Sequence, residues 1–163
     1  MINRSDFVNE IFIRKAQLED LNIIQNLNNE LFKLEKENYD STLVQNWPLS
    51  EDGKHYFEDL IINHYVIVAI KNETIVGYLA GSINEKGSYE EIQYGEINNM
   101  LVDNNFRGLG TGKLLIDKFK QYCKDNNINN LKVVASAKNI KAIEFYKNNG
   151  FNDFDITLTT EIH

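Results

Sequence analysis

Between a predicted strand and a predicted helix, the chain reads Arg107-Gly108-Leu109-Gly110-Thr111-Gly112-Lys113. Glycine allows backbone conformations in which several main-chain N–H groups converge on one point, and a helix that starts there adds positive potential. The flanking arginine and lysine bring two positive charges. The stretch therefore predicts an anion-binding loop, and the alternative is a flexible strand-to-helix turn without a ligand.

Two common phosphate-binding patterns do not fit this loop. The P-loop pattern G-x-x-x-x-G-K-[ST] requires glycine where Arg107 stands and serine or threonine where Leu114 stands. The dinucleotide pattern G-x-G-x-x-G fails because the glycines are Gly108, Gly110 and Gly112, and no clear βαβ unit surrounds them. The loop therefore belongs to neither class.

The elements on either side of the loop alternate between strand and helix. Upstream, residues 91–102 predict a strand whose apolar end favours a bulge or burial on both faces. Downstream, apolar periodicity predicts a helix directly after the loop, a strand at 131–135, a helix at 140–149 and a closing strand at 154–162. Gly150 is placed as the left-handed cap that ends the last helix.

The first half of the chain predicts two helices and a hairpin. An apolar run at 11–13 predicts a strand, and apolar residues at three-to-four spacing from Leu21 to Leu34 predict a long helix. Ser50 is placed to cap a second helix, after an irregular aromatic loop. Residues 65–70 and 74–83 predict an antiparallel hairpin. The order β, α, α, β, β, β, α, β, α, β predicts an α/β domain around one mixed sheet.

The composition is that of one globular domain. The chain has 163 residues, of which 42% are hydrophobic and 25% charged, and its net charge is -7. This acidic balance argues against nucleic-acid binding. Residues 1–100 carry 8 basic and 17 acidic side chains, whereas residues 101–163 carry 9 and 7. The second part therefore suits an anion better than the first, although a solvated surface explains the same asymmetry.

The cysteine and histidine content favours a protein of a reducing compartment that has no metal site. Cys123 is the only cysteine, so no intrachain disulfide forms, and three widely spaced histidines offer no zinc spacing. No apolar stretch approaches the roughly 18 residues of a membrane span, and no signal-peptide core is visible. We therefore expect a cytoplasmic protein that does not enter a membrane.

Two ordered motifs resemble the GNAT-type N-acetyltransferase superfamily. The glycine loop matches the family pattern R/Q-x-x-G-x-G/A, and Asn104 before it stands where relatives often have proline. Asn139 to Phe151 is similar to the family's N-x-x-A-x-x-F-Y-x-x-x-G-F segment. The two motifs cover roughly residues 96–151. Because the upstream order of elements also agrees with the family's fold, the resemblance spans nearly the whole chain.

The resemblance implies the GNAT fold in a single N-acetyltransferase domain over residues 1–163. That fold has one mixed, mostly antiparallel central sheet of about six to seven strands, flanked by four helices. A splayed pair of its strands forms the acyl-CoA cleft. Many relatives form dimers through their closing strands, so a homodimer would be in keeping with the family.

The resemblance also implies that acetyl-CoA is the cosubstrate and that no metal is required. Main-chain N–H groups of the glycine loop would hold its pyrophosphate, through Arg107, Gly108, Leu109, Gly110, Thr111, Gly112 and Lys113. Main-chain groups of Met100 and Val102 would contact the pantetheine arm, and an N–H near Met100 or Leu101 would stabilise the oxyanion of the bound acetyl group. Asn139 would contact the cofactor, or cap the last helix, or do both.

Two side chains are candidates for proton transfer. A primary amine is mostly protonated at neutral pH, because its pKa is about 10, so a base must take a proton before attack. Glu96 is the candidate base and would act through ordered water. Alternatively, Glu96 is a surface residue without a catalytic role, or Glu91 is the base instead. Tyr146 matches the family tyrosine that protonates the leaving thiolate. The alternative is that Tyr146 only packs in the hydrophobic core.

The acceptor site is expected between the first two helices. Tyr39, Trp47 and Tyr56 are the candidate substrate-binding residues, and with the local acidic excess they favour a cationic amine. Trp47 could equally anchor the irregular loop in the core. The sequence favours an acyltransferase acting on a small-molecule amine by direct attack in a ternary complex. A protein or peptide N-acetyltransferase and a non-catalytic acyl-CoA-binding sensor are the alternatives.

Overall fold

The structure, a computed structural model, describes residues 10–162 and contains five strands and four α-helices within that range. Residues 1–9 and His163, which the predicted domain includes, lie outside the described residues. The strands and helices are β1 (Phe12–Lys15), α1 (Leu21–Asn38), α2 (Glu51–Asn63), β2 (Tyr65–Lys71), β3 (Thr74–Ile83), β4 (Tyr94–Val102), α3 (Thr111–Asp125), β5 (Asn130–Val133) and α4 (Ile140–Asn148).

One sheet contains all five strands in their sequence order, from β1 to β5. The first four strands are antiparallel and β5 pairs with β4 in parallel, so the predicted mixed, mostly antiparallel sheet is confirmed. The predicted hairpin is β2–β3. Asn72 and Glu73 form its two-residue turn with φ values of 49° and 63°, the left-handed geometry that matches the twist of paired strands.

Strands β4 and β5 separate halfway along β4. They pair from Tyr94 to Ile97, and beyond Ile97 no strand of the described range pairs with this edge of β4. At the same place β4 carries a bulge, because Ile97 opposes Gly81 and Asn99 opposes Ala80, which leaves Asn98 without a partner. The splay that the resemblance implied is therefore present and leaves one end of the sheet open, whereas the bulge lies at Asn98 and not in the apolar run at residues 100–102 where the sequence suggested it.

Helices cover both faces of the sheet and create two cores. On one face, α1 and α2 pack on Tyr78, Ala80 and Leu101. On the other face, α3 packs its fully buried Phe119 against the sheet. A Cβ added at Gly81 would collide with the Phe119 ring, so this glycine allows the close approach of helix and sheet. Truncating Phe119 would cost about 3–5 kcal/mol, as for other buried phenylalanines.

The helix ends follow the sequence signals. Ser50 Oγ accepts a hydrogen bond from Gly53 N at 3.2 Å, and Asn139 Oδ1 accepts one from Ala142 N at 3.1 Å. Gly150, with φ 90°, follows the end of α4. The predicted caps are therefore confirmed, and they set where α2 and α4 begin.

The predicted closing strand is wrong. Residues 151–162 form neither helix nor strand, and the alternating apolar residues Phe154, Ile156 and Leu158 are 77%, 85% and 88% exposed. Alternation shows which residues could share a face, but a strand also needs a partner edge, and this segment pairs with none in the range that the structure describes. The sheet accordingly has five strands rather than six or seven.

None of the helices within residues 10–162 is both long and apolar enough to cross a membrane.

Candidate active site

The glycine loop connects the end of β4 to the start of α3. A short turn at Asn104–Phe106 follows the strand, and Asp103 stabilises it by accepting a hydrogen bond from Asn105 N at 2.8 Å. Arg107 then donates from Nε to the Val102 carbonyl at 2.8 Å. The turn forms without the proline that relatives often have at Asn104, because the Asp103 side chain supplies the local hydrogen bond.

Gly108 and Gly110 give this loop its open shape. Their φ values are 75° and 80°, and a Cβ built on either would meet no atom within 4 Å. Gly112 differs, because its Cβ would lie 2.9 Å from the Phe145 ring, so this glycine permits α3 to approach α4. Two of the three glycines therefore serve the open loop and one serves packing.

The main-chain amides of the loop are available to a ligand. Within residues 10–162, none of the N–H groups from Gly108 to Lys113 donates a hydrogen bond. The last of these belong to the first turn of α3, where helix geometry leaves N–H groups without an internal acceptor. Arg107 and Lys113 add positive charge, although Lys113 contacts Asp117 at 2.5 Å. Amides, helix dipole and open space together fit a diphosphate.

The open edge of β4 presents main-chain groups beside this loop. The Val102 carbonyl accepts from Arg107 and not from β3, so it points to the open edge. Strand alternation gives Met100 the same main-chain direction and turns Leu101 towards β3. Leu101 also buries its side chain, at 7% exposure. Of the three predicted contacts on this strand, Met100 and Val102 are thus the two whose main chain faces the splay.

A cavity of about 380 Å³ opens where β4 and β5 separate. The residues that line it come from α1, the loop after it, α2, β4, β5 with its following loop, and α4. They are Asn28, Leu31, Phe32, Glu35, Leu43, Trp47, Tyr56, Ile97, Asn98, Asn99, Met100, Val133, Val134, Ala135, Ser136, Asn139, Ala142 and Tyr146. This volume is within the range of small-molecule sites.

Three aromatic rings form one side of the cavity. Phe32 stacks on Trp47 with ring centroids 5.7 Å apart, and Trp47 contacts Tyr56 at 5.5 Å. The Tyr56 hydroxyl accepts a hydrogen bond from Asn99 Nδ2 at 3.3 Å, and burial raises the pKa of this tyrosine. Trp47 and Tyr56 therefore lie where the sequence predicted them. Tyr39, the third predicted substrate residue, is not part of the cavity wall.

Glu35 is the one charged side chain among the described residues that line the cavity. Its Oε1 accepts a hydrogen bond from Asn139 Nδ2 at 3.2 Å. Burial raises the pKa of the Glu35 carboxyl, and the hydrogen bond from Asn139 opposes this rise while the nearby Asp40 adds to it. Asn139 thus caps α4 through its oxygen and holds Glu35 through its nitrogen.

Tyr146 lies on α4 and reaches the same cavity. Its ring contacts Phe145 and Phe151 edge-on, at centroid distances of 5.4 and 5.5 Å. Burial raises the pKa of Tyr146 to about 12, and the negative charge of Glu35 contributes to this rise. Its hydroxyl therefore stays protonated at neutral pH and can serve as a hydrogen-bond donor or an acid.

The predicted base Glu96 is placed beside the cavity and not in its wall. It opposes Ser82 across the sheet, and its carboxylate contacts Lys132 at 3.3 Å and accepts a hydrogen bond from Asn84. Glu91, the substitute, is exposed in the segment before β4. The structure thus brings Tyr146, Asn139, Trp47 and Tyr56 together and leaves both glutamates outside that group.

The sequence reasoning missed five polar residues of the cavity, namely Asn28, Glu35, Asn98, Asn99 and Ser136. A signal existed for two of them, since Asn28 and Glu35 share the helical face of Ile24 and Leu31 at spacings of three or four. Polar residues on the buried face of an amphipathic helix mark a site or a buried contact. No comparable signal exists for Asn99, because the bulge before it changes the alternation of β4.

Cys123, by contrast, is a packing residue of the core. It is buried in the α3 core, and burial raises the pKa of its thiol to about 11. No group of three or more histidine, cysteine, aspartate or glutamate side chains within residues 10–162 could hold a metal ion.

Comparison with known sequences identifies the family. Residues 25–151 match the sequence model of the Acetyltransferase (GNAT) family. The chain is 35% identical over 81 residues to an uncharacterized N-acetyltransferase of Methanocaldococcus jannaschii, a match that covers 50% of this chain and 36% of the relative. It is 27% identical over 136 residues to an uncharacterized N-acetyltransferase of Archaeoglobus fulgidus, which covers 82% of this chain and 88% of that one. The chain thus spans only about a third of the first relative's length.

Comparison with solved structures shows the same fold at low sequence identity. A mutant of the BH1408 protein from Bacillus halodurans superposes with a TM-score of 0.85 at 18% identity, covering 93% of this chain and 99% of that one. The aminoglycoside N-acetyltransferase AAC(6')-Iy, in complex with a bisubstrate analog of CoA and acetylneamine, has a TM-score of 0.72 at 16% identity, covering 94% and 99%. Fold, motifs and sequence match agree, and the chain belongs to the acetyltransferase (GNAT) family of acyltransferases.

Proposed function

We propose that this acyltransferase moves the acetyl group of acetyl-CoA to an amine of a small molecule, by direct attack in a ternary complex. The observation that carries the proposal is the run of free amides from Gly108 to Lys113, which stands beside the open edge of β4. This edge leads from the loop to the cavity. A ligand whose anionic group is held at the loop can therefore extend along β4 into the cavity.

The residues present fit acetyl-CoA, whose contribution when bound is an activated acetyl thioester. The amides of the glycine loop and the N-terminus of α3 would hold its diphosphate, with Arg107 and Lys113 close by. The main-chain groups of Met100 and Val102 that face the splay would hold the pantetheine arm. Asn139 and Tyr146 line the cavity at its α4 side, where they would meet the reactive end.

Two side chains of this chain would handle protons. Glu96 is the proposed acceptor of the amine proton through a bridging water, because its carboxylate lies beside the cavity on the α1 and α2 face of β4. Tyr146 would donate its phenolic proton to the leaving sulfur. Burial raises the pKa of Tyr146 to about 12, which keeps the hydroxyl protonated and available as a hydrogen-bond donor to the sulfur but makes it a weaker acid than an ordinary tyrosine.

The cavity supports a small acceptor over a protein. Its volume of about 380 Å³ is that of a small-molecule site and its walls come from six parts of the fold, whereas a protein substrate needs a longer groove. The fold neighbour bound to an acetylneamine analog acts on an amine-rich small molecule, which makes amino sugars sensible acceptors to test. A peptide N-acetyltransferase and a non-catalytic acyl-CoA sensor are the competing functions.

The test is release of free thiol from acetyl-CoA with a panel of acceptors, including polyamines, amino sugars and short peptides. Turnover with a small amine is the expected result. Turnover with peptides alone would replace the proposal with the peptide enzyme, and tight acetyl-CoA binding without any turnover would replace it with the sensor. Absence of acetyl-CoA binding by calorimetry would refute the cofactor assignment itself.

A further inference from the structure

The cavity contains a carboxylate without a positive partner. No lysine, arginine or histidine of residues 10–162 lies within ion-pair distance of Glu35, and no basic residue is among the described residues that line the cavity. A partly desolvated negative charge is unfavourable until a cation joins it. Its hydrogen bond with Asn139 satisfies one carboxylate oxygen and leaves the other available.

Other oxygen acceptors of residues in the cavity wall also lack donors. The Oδ1 atoms of Asn28 and Asn99 are buried with no hydrogen-bond partner in the described part of the chain, and both residues line the cavity. Asn28 itself is 2% exposed and is held by the hydrogen bond from its Nδ2 to the Tyr78 hydroxyl at 2.7 Å. A cavity wall with surplus acceptors suits a ligand group that only donates, and a primary ammonium with three N–H donors is such a group.

The aromatic side of the cavity suits the same ligand. Phe32, Trp47 and Tyr56 line the same cavity as Glu35, and a cation near an aromatic face is attracted to it. The opposite wall, from β4 and β5, is mostly apolar. The carboxylate, the amide oxygens and the aromatic rings therefore all favour a cationic amine as the ligand.

We propose that Glu35 binds the protonated amine of the acceptor and makes the site selective for cationic amines. The inference rests on the proposed function for the identity of the ligand as an acceptor. It assigns Glu35 to recognition and leaves proton uptake to Glu96. The raised pKa of the Glu35 carboxyl agrees with it, because a bound ammonium would relieve the cost of burying that charge.

Equilibrium binding tests the inference without acetyl transfer. Trp47 is the only tryptophan of the chain and lies in the cavity wall, so its fluorescence reports ligand entry. The probe is 1,4-diaminobutane, titrated into the full chain at neutral pH. We expect wild-type protein to bind it and Glu35→Gln to bind it at least about tenfold more weakly, the effect of losing one charge-assisted hydrogen bond.

Two further variants make the result specific. Glu30→Gln removes the same charge from an exposed position on the same helix and should bind as wild type does. Glu35→Asp keeps the charge and should recover part of the affinity. If wild type does not bind the probe, or if Glu35→Gln and wild type bind it equally, the inference is overturned.

Kinetics separate this inference from the proposed function. Benzylamine is protonated at neutral pH and aniline, of similar shape, is neutral. Glu35→Gln should raise the KM for benzylamine about tenfold and leave that for aniline unchanged. Equal changes for both acceptors would overturn the role of charge even if acetyl transfer is confirmed. Binding of the diamine through Glu35 without any acetyl transfer would refute the proposed function and retain the cation site.

Discussion

The glycine loop and the aromatic cavity present opposite chemistry to a ligand and use different parts of the chain to do so. The loop, residues 107–113, offers main-chain N–H groups to an anion, and its side chains contribute little beyond two charges. The cavity offers side chains, with one carboxylate and three aromatic rings that suit a cation. A main-chain site depends on where glycines stand, whereas a side-chain site depends on which helices meet. The two regions should therefore respond differently to substitution.

The largest expected effect belongs to the cavity. Tyr146→Phe should lower kcat by about a hundredfold to ten-thousandfold, the range for losing a positioned acid, and should leave acetyl-CoA affinity unchanged. Steady-state kinetics and calorimetry measure the two quantities. Tyr122→Phe is the control, because Tyr122 stacks on Tyr65 at 3.9 Å, away from the cavity. An unchanged kcat in Tyr146→Phe would mean that this tyrosine is a packing residue.

A substitution of Glu96 tests whether a residue outside the cavity wall takes part in catalysis. Glu96→Gln should lower kcat by about a hundredfold, because the amine would lose its proton acceptor, with little change in the KM for the amine. Glu85→Gln, at an exposed position after β3 with no proposed role, is the matched control. If Glu96→Gln behaves as its control does, the carboxylate contacting Lys132 and Asn84 is a structural group of the sheet.

Substitution in the glycine loop should weaken coenzyme A binding rather than slow turnover. Gly110→Val places a Cβ in the open space and strains a left-handed residue, so coenzyme A affinity should fall about tenfold or more while kcat at saturation persists. Gly150→Val imposes similar backbone strain at φ 90°, far from the loop amides, and should bind coenzyme A normally. Equal coenzyme A affinity in the two variants would show that residues 107–113 do not bind the diphosphate.

The smallest effect concerns stability. The folded pKa of Glu35 lies above its unfolded value, so its negative charge costs folding free energy above the folded pKa and costs nothing below the unfolded value of about 4.3. Glu35→Gln, which can still accept the hydrogen bond from Asn139, should therefore be more stable than wild type at pH 7. The difference in urea midpoint should vanish below about pH 4. A variant that is less stable at pH 7 would contradict this account.

Local patterns predicted most of the fold. Hydrophobic periodicity located the four helices, and the caps at Ser50 and Asn139 located two of their starts. Periodicity alone misassigned residues 154–162, because whether Phe154 and Ile156 enter a sheet depends on a partner edge that no local pattern contains. Tyr39, which the sequence grouped with Trp47 and Tyr56, is not in the cavity wall, because it follows the end of α1 and its direction depends on the irregular loop after it.

The amino-acid order already specifies the geometry of the glycine loop, because positive φ at Gly108 and Gly110 and the free amides at a helix start are properties of neighbouring residues. The aromatic cavity is different in kind. Glu35 and Asn139 are 104 positions apart, and Asn28 and Tyr78 are 50 apart, so their contacts exist only once α1 lies against the sheet and α4 closes the splayed end. Side-chain contacts over such separations are products of packing, which is why the tertiary structure alone could assign Glu35 to the site.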